Sequence, residues 1–189
     1  YEIIMGNRLS KIYTRTGDDG STGMADGTRV SKSDLRFDAM GTVDMLNAQI
    51  GMIRCHIASE FDAALNRLQH QLFNIGGELA MPDFQAVSSQ DVAQLEQQID
   101  SWNSQLLPLK EFILPAGSAL ICHIHIARCQ CRDAERVLVS LQQRDGNIHG
   151  ATLQFINRLS DWLFVLVRIV AKTQGQAEVL WQKNTLSND

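Results

Sequence analysis

The chain has 189 residues, 44% of them hydrophobic and 20% charged, the ordinary balance of a globular protein and enough length for one domain with a full core. A formal net charge of −4 and a pI near 5.7 exclude nucleic acid as the main partner, because a phosphate backbone demands a basic surface. No apolar run approaches the roughly 18–20 residues of a membrane span. Tyr1–Lys11 lacks the charged start and apolar stretch of a secretory signal, and Met5 reads as a natural start. Four cysteines, three of them crowded at Cys122, Cys129 and Cys131 in helical surroundings, do not form a disulfide framework and point to the reducing cytoplasm.

The first 33 residues stand apart. Thr14–Gly23 is almost free of apolar side chains and places glycines at 17, 20 and 23, so it cannot be core. It is either a flexible polar tail or a loop that folds around something. Helical periodicity then takes over. Met40, Val43, Leu46, Ile50, Ile53 and Ile57 recur at steps of three and four, as do Phe61, Leu65, Leu68, Leu72, Ile75 and Leu79. Val92, Leu95, Ile99, Trp102 and Leu106 give a shorter third helix. Leu120, Ile124, Ala127, Cys131, Ala134, Leu138 and Leu141 give the longest, with Ser118 after Pro115-Ala-Gly as its N-cap. Ile156, Leu159, Leu163, Leu166 and Val170 give the fifth. Period-two alternation is confined to short edges at Lys11–Tyr13 and Glu178–Trp181. The expected fold is all-α: a single domain over 1–189, made of a glycine-rich loop (1–33), a five-helix bundle (34–173) and a C-terminal tail (174–189).

Three constellations carry chemistry. In the loop, glycines let backbone amides approach an anion, Thr14, Thr16, Ser21 and Thr22 add hydroxyl donors, and Arg15 and Lys32 add charge. Asp18 and Asp19 would repel a bare triphosphate, so an anion site there calls for Mg²⁺. No Walker-type lysine follows Gly23. On the fourth helix Arg128, Arg132 and Arg136 lie four apart, in a row with Glu135 on the same side. Such a row either binds a polyanion or is a solvated face laced with ion pairs. Third, Asn157 and Asp161 lie one turn apart in a segment taken to open the last helix, where Asn157 either reads a purine or ribose edge or caps the helix.

Metal readings are weaker. Cys122, His125 and Cys129 share a helical face, but no second Cys/His cluster completes a zinc site. The paired Glu-x-x-His motifs of a di-iron bundle are absent from the sequence.

In this order the segments resemble the PduO-type ATP:cob(I)alamin adenosyltransferases, over about Lys11 to Arg168. Thr14-Arg-Thr-Gly-Asp-Asp-Gly-Ser-Thr-Gly23 resembles that family's nucleotide loop, and Gly41-Thr-Val-Asp-Met-Leu-Asn-Ala48 its Gly-x-x-Asp-Glu-Leu-Asn segment. Phe112-Ile-Leu-Pro-Ala-Gly-Ser118 is similar to its Phe-x-Leu-Pro-Gly-Gly turn. His125-Ile-Ala-Arg-Cys-Gln-Cys-Arg-Asp-Ala-Glu-Arg136 and Asn157-Arg-Leu-Ser-Asp-Trp-Leu-Phe164 are similar to its last two helices. Asp19 stands where many members have Lys, Met45 where Glu is usual, Ala116 where Gly is usual and Asp133 where Arg is usual.

The resemblance implies an enzyme that moves the 5′-deoxyadenosyl group of ATP to the cobalt of a reduced corrinoid such as cobalamin and releases triphosphate. It implies a homotrimer with active sites shared between subunits. ATP would be held by Thr14, Arg15, Thr16, Gly17, Thr22, Gly23 and Lys32 of the loop. From the helices, Arg132, Asp133, Ala134, Glu135, Arg136 and Asn157 would join them. Arg132 would act on the leaving group, Asp44 would pair with Arg128 at the shared site, and Phe112 would press on the lower face of the corrin. Mg²⁺ would accompany ATP through residues the sequence leaves unspecified. A flavoprotein or other reductase and an adenosylcobalamin-dependent enzyme are the expected protein partners. Two rival classes remain at this point: a non-catalytic corrinoid chaperone or ATP sensor on the same bundle, and a structural helical module.

Overall fold

The computed structural model describes residues 12–183. Tyr1–Lys11, including Met5, lie outside the described residues. Five helices form an all-α bundle: α1 (Leu35–Arg54), α2 (Ser59–Ala80), α3 (Ser89–Asn103), α4 (Ala119–Asp145) and α5 (Gly150–Thr173). A small antiparallel hairpin, β1 (Ser21–Gly23) with β2 (Arg29–Ser31), precedes them.

The apolar series read from the sequence are the faces that meet. Leu46, Ile50, Leu65, Ile75, Ile124, Leu138, Ile156 and Leu166 are all fully or almost fully buried in one core. Helix α4, about 40 Å long at 1.5 Å per residue, packs between α1 and α5. It runs antiparallel to both: Arg36 at the start of α1 reaches Asp145 at the end of α4, and Gln49 reaches His123 near its beginning. Asn157 of α5 meets Glu135. Helix α3 packs on α5, where Trp162, fully buried, donates its indole N–H to Gln98 Oε1 at 2.7 Å.

Local chemistry sets the helix starts. Asp34, Ser88 and Ser118 cap α1, α3 and α4, and Ser88 with Asp91 completes a capping box. Helix α5 has no side-chain cap of its own. Glu78 of α2, almost fully buried, sits there instead and accepts from the Thr152 hydroxyl at 2.8 and 2.9 Å, a carboxylate at the positive end of a helix.

The sequence reading differs from the structure at the margins. The two-strand hairpin was not expected, because strands of three residues are too short to show alternation. Of the two edges that did alternate, Lys11 is outside the described residues and Ile12–Tyr13 forms no strand, whereas Leu180 bridges to Ile113. Leu106 falls beyond the end of α3 but still packs on the core. Helix α5 begins at Gly150, so Asn157 lies two turns inside it and is no cap.

Four charged groups fasten the base of the hairpin to the bundle. Arg144 donates to both carboxylate oxygens of Asp34, at 3.0 and 3.1 Å, and to Asp145. Asp145 also accepts from the buried Arg36 at 2.7 Å, and Arg36 donates to the Leu79 carbonyl and to Asn147. The hydrogen bonds from Arg144, then Arg36, hold the Asp145 carboxyl down at about 2. Because this folded value lies below the unfolded one near 4, its stabilisation is present above pH ~4 and is lost as pH falls towards ~2. Asp145→Asn should therefore destabilise the protein by about 1–2 kcal/mol at pH 7 and flatten the acid limb of the stability curve. Acid denaturation followed by circular dichroism checks this; an unchanged acid limb would contradict it.

Candidate functional site

The glycine-rich segment is a closed loop. Asp19 accepts from the Ser21 hydroxyl and backbone N–H at 2.7 and 2.9 Å, which holds its carboxyl below the usual range. Asp26 does the same for Thr28 in the hairpin turn. Arg29 donates to the Thr16 carbonyl and the Ser21 hydroxyl, and Lys32 Nζ donates to the Gly17 carbonyl at 2.7 Å. A Cβ on Gly17 would stand 2.9 Å from the Ser21 carbonyl oxygen and 3.0 Å from Lys32 Nζ, so only glycine fits this crossing. Arg15 is in the left-handed region at φ 60, with its guanidinium 5.5 Å from the Tyr13 ring. The Thr14 and Thr16 hydroxyls are 2.9 Å apart, while Thr22 and Gly23 form β1.

The arginine row stands on the outer face of α4. The apolar series from Leu120 to Leu141, Ala134 included, turns inwards, so the Ala134 side chain contributes packing. Arg136 pairs with Asp133 at 2.6 Å. Arg132 is exposed and has no hydrogen bond or ion pair among the described residues. Arg128 is half-buried, and its Nε lacks a hydrogen-bond partner. Glu135 accepts from Asn157 Nδ2 at 2.7 Å rather than from an arginine, and Asn157 Oδ1 accepts from Arg158. Asn157 thus sits beside the row, held by the helix that carries it.

Below the row lies an open pocket of about 530 Å³ whose lining includes Phe112, Ile113, His125, Arg128 and Phe164. Phe112 is 79% exposed, outside the core as its position in the sequence implied. His125 is buried yet neither ring nitrogen has a partner. Burial, and secondarily the Arg128 charge, push its pKa below the ordinary value, so the imidazole is neutral at pH 7. Gln130 Oε1, on another flank of the same helix, also lacks a partner among the described residues. Buried polar atoms without partners are uncommon, and those of His125 and Arg128, one turn apart, mark a face built to be covered.

Asp44 is exposed on α1 and makes no ion pair with Arg128 of its own chain. Nor does any hydrogen bond or ion pair join residues 12–32 to Arg128, Arg132 or Arg136. Loop and row are therefore separate surfaces of one chain. Among the described residues no group of three or more His, Cys, Asp or Glu side chains is placed to hold a metal ion, the Cys122/His125/Cys129 face included.

Sequence reasoning missed the groups that act through contact between distant segments. Arg29 closes the loop, Phe164 walls the pocket, and Arg36, Arg144 and Asp145 fasten the hairpin. Each pairing spans a separation that periodicity does not report.

A family model described as cobalamin adenosyltransferase matches residues 12–170. A cobalamin adenosyltransferase from Cupriavidus metallidurans is 47% identical over 95% of this chain and 98% of its own. A corrinoid adenosyltransferase from Bacillus subtilis is 37% identical over 93% of this chain and 94% of its own. Among solved structures, a variant PduO-type ATP:corrinoid adenosyltransferase from Lactobacillus reuteri, complexed with cobalamin and ATP, superposes with a TM-score of 0.86. It is 34% identical, over 92% of this chain and 100% of that one.

The Gly17 crossing can be tested without any ligand. Gly17→Ala should open the loop, seen as at least about tenfold faster proteolytic cleavage within 14–32, while the bundle melts within about 2 °C of the parent because the loop adds nothing to the core. Unchanged cleavage would show that the crossing is not tight.

Proposed function

We propose that this chain, which belongs to the cobalamin adenosyltransferase family and transfers the adenosyl group of ATP to a corrinoid, builds its active site from two copies of itself. One copy supplies the glycine-rich loop and its neighbour supplies the arginine row. The observation that carries this is the outer face of α4, where Arg132 is unpaired among the described residues and Arg128 and His125 bury atoms without partners. A neighbouring loop with bound ATP would satisfy such a face; the chain's own loop runs into α1 at Asp34, and Arg144 holds that cap residue near the other end of α4. Arg144 lies twelve residues beyond Arg132, about 18 Å along the helix.

In this reading Thr14, Arg15, Thr16, Gly17, Thr22, Gly23 and Lys32 cradle the triphosphate, with backbone amides and hydroxyls as donors. Arg132 and Arg136 face it from the other side, and Asn157 and Glu135 position the nucleoside. Asp133 tempers the row through its pair with Arg136. Mg²⁺ arrives on the triphosphate and neutralises part of its charge. Reduced cobalt is itself a strong nucleophile, so no side chain is needed as base. Its electron pair forms the bond to the 5′ carbon as the carbon–oxygen bond breaks, and triphosphate leaves with that bond's electrons. The protein's task is alignment and stabilisation of the leaving charge. Phe112, exposed beside Phe164 and the neutral His125, supplies an apolar surface for the lower corrin face.

The shared site implies a homotrimer in which Asp44 of one copy pairs with Arg128 of the next. Among the described residues no helix is long and apolar enough to cross a membrane, and all four cysteines are free thiols, which suits the cytoplasm. A reductase must deliver the electron that makes the nucleophilic cobalt, and an adenosylcobalamin-dependent enzyme consumes the product.

Arg132→Ala should lower turnover with reduced cobalamin and MgATP by about 10²–10³ with an unchanged fold, since it truncates an exposed side chain. The rate of adenosylcobalamin appearance, followed anaerobically by its spectrum, checks this; parental activity in the folded variant would contradict the role of the row. Sedimentation should give a trimer. The charge-swapped pair Asp44→Arg/Arg128→Asp should recover activity that either single variant loses, and a double variant no better than the singles would contradict the pairing.

A further inference from the structure

The connector between α3 and α4, residues 104–118, carries Phe112, yet very little of it is held by its own hydrogen bonds. From outside it is gripped almost entirely by the end of α5 and the tail beyond. Lys172 Nζ donates to the Gln105 carbonyl at 2.7 Å. Arg168 donates through Nη2 to the Leu107 carbonyl at 2.7 Å and through Nε to Glu178 at 2.6 Å. The Trp181 N–H donates to the Phe112 carbonyl at 2.7 Å and the Leu114 N–H to the Val179 carbonyl at 2.8 Å, around an Ile113–Leu180 bridge. Gln174 and Gln176 accept from the hydroxyl and N–H of Ser118.

The turn that makes this possible is built into the helix end. Gly175 has φ 63, and its N–H and that of Gln176 reach back to the carbonyls of Lys172 and Ala171, a Schellman closure that needs glycine at the left-handed residue. It turns the chain back along the bundle and places Glu178 on Arg168. The Arg168 side chain is only 6% exposed, and a buried guanidinium requires a carboxylate partner. The ion pair thus fixes where the returning strand lies. These tail residues fall beyond residue 170, where the family match ends.

We propose that Arg168 and Glu178, with the strand 178–181, are positioning residues that set the height of Phe112 against the corrin. The strand acts as a strap on the backbone that follows Phe112, at its own carbonyl and at Leu114, while Arg168 anchors the connector before it, at Leu107. Phe112 itself has little packing to hold it, so its location is determined by its backbone. This rests on the proposed placement of Phe112 against the lower corrin face, where an apolar ring takes the space of a lower axial ligand of cobalt. A four-coordinate cobalt(II) is easier to reduce, because the added electron meets no donor along that axis. Loosening the strap should therefore impair the reaction that starts from cob(II)alamin and spare the one that starts from cob(I)alamin.

Glu178→Gln removes the charge but keeps the shape, and Trp181→Pro removes the N–H that Phe112 accepts while leaving the ion pair intact. Trp181 lies at the surface, so that variant does not put folding at stake. With MgATP and cob(II)alamin, both should show less of the four-coordinate signal by EPR and about tenfold slower turnover. Rates from cob(I)alamin and ATP affinity should stay within about twofold of the parent. Glu178→Asp should recover part of the signal. An undiminished four-coordinate signal in both variants, alongside its loss in Phe112→Ala, would overturn the strap. An equal loss of rate from both oxidation states, or weakened ATP binding, would show a general structural role and overturn it too. Should Phe112→Ala keep the signal, the reading of Phe112 falls first and the strap with it.

Discussion

Three guanidiniums on one face of α4 are the constraint from which much else follows. The helix buries its apolar side between α1 and α5, which forces Arg128, Arg132 and Arg136 outwards at four-residue spacing. Among the described residues, only Arg136 of the three has a carboxylate from its own chain. Glu135, the other carboxylate of this stretch, is committed to Asn157. Positive charge concentrated this way is stable when an anion completes it, and a triphosphate is an anion of the right charge and reach. The buried unpartnered atoms of His125 and Arg128 belong to the same surface and call for the same covering.

The remaining elements hold two irregular segments, a loop and a connector, on a helical frame. At one end the Asp34–Arg144–Asp145–Arg36 network ties the hairpin to α1, α2 and α4 at once. At the other, α5 and its tail grip the segment bearing Phe112. Catalysis of this kind asks for alignment more than for acid–base chemistry, and the structure spends its buried charges accordingly. Arg36 and Arg168 are both nearly inaccessible, and each joins a carboxylate to a backbone carbonyl of a different segment.

The bundle was legible because each helix carries an uninterrupted apolar stripe: Leu65 to Leu79 and Leu120 to Leu141 locate α2 and α4 without further help. Ser118 was legible as a cap because its chemistry is local. The hairpin was not, since β1 and β2 have three residues each and owe their existence to Asp26, Arg29 and Lys32 side chains. Of the candidate site, the arginine row followed from spacing alone, whereas the family resemblance brought in Phe112 and Asp44. Asn157 was misplaced at a helix start because the apolar stripe of α5 weakens before Phe155, although the helix itself begins at Gly150. Arg168 and Glu178 stayed invisible because a ten-residue separation across a glycine turn has no signature in periodicity.

A mixing experiment tests the shared site most directly. Lys32→Ala disables the loop and Arg132→Ala disables the row, and each variant alone should be nearly inactive. If loop and row meet across a subunit boundary, trimers reassembled from an equal mixture should contain intact sites at some interfaces and recover roughly a quarter of parental activity. If each chain builds its site from its own loop and row, no mixture can restore an intact site, and activity no higher than that of the separate variants would contradict the shared arrangement.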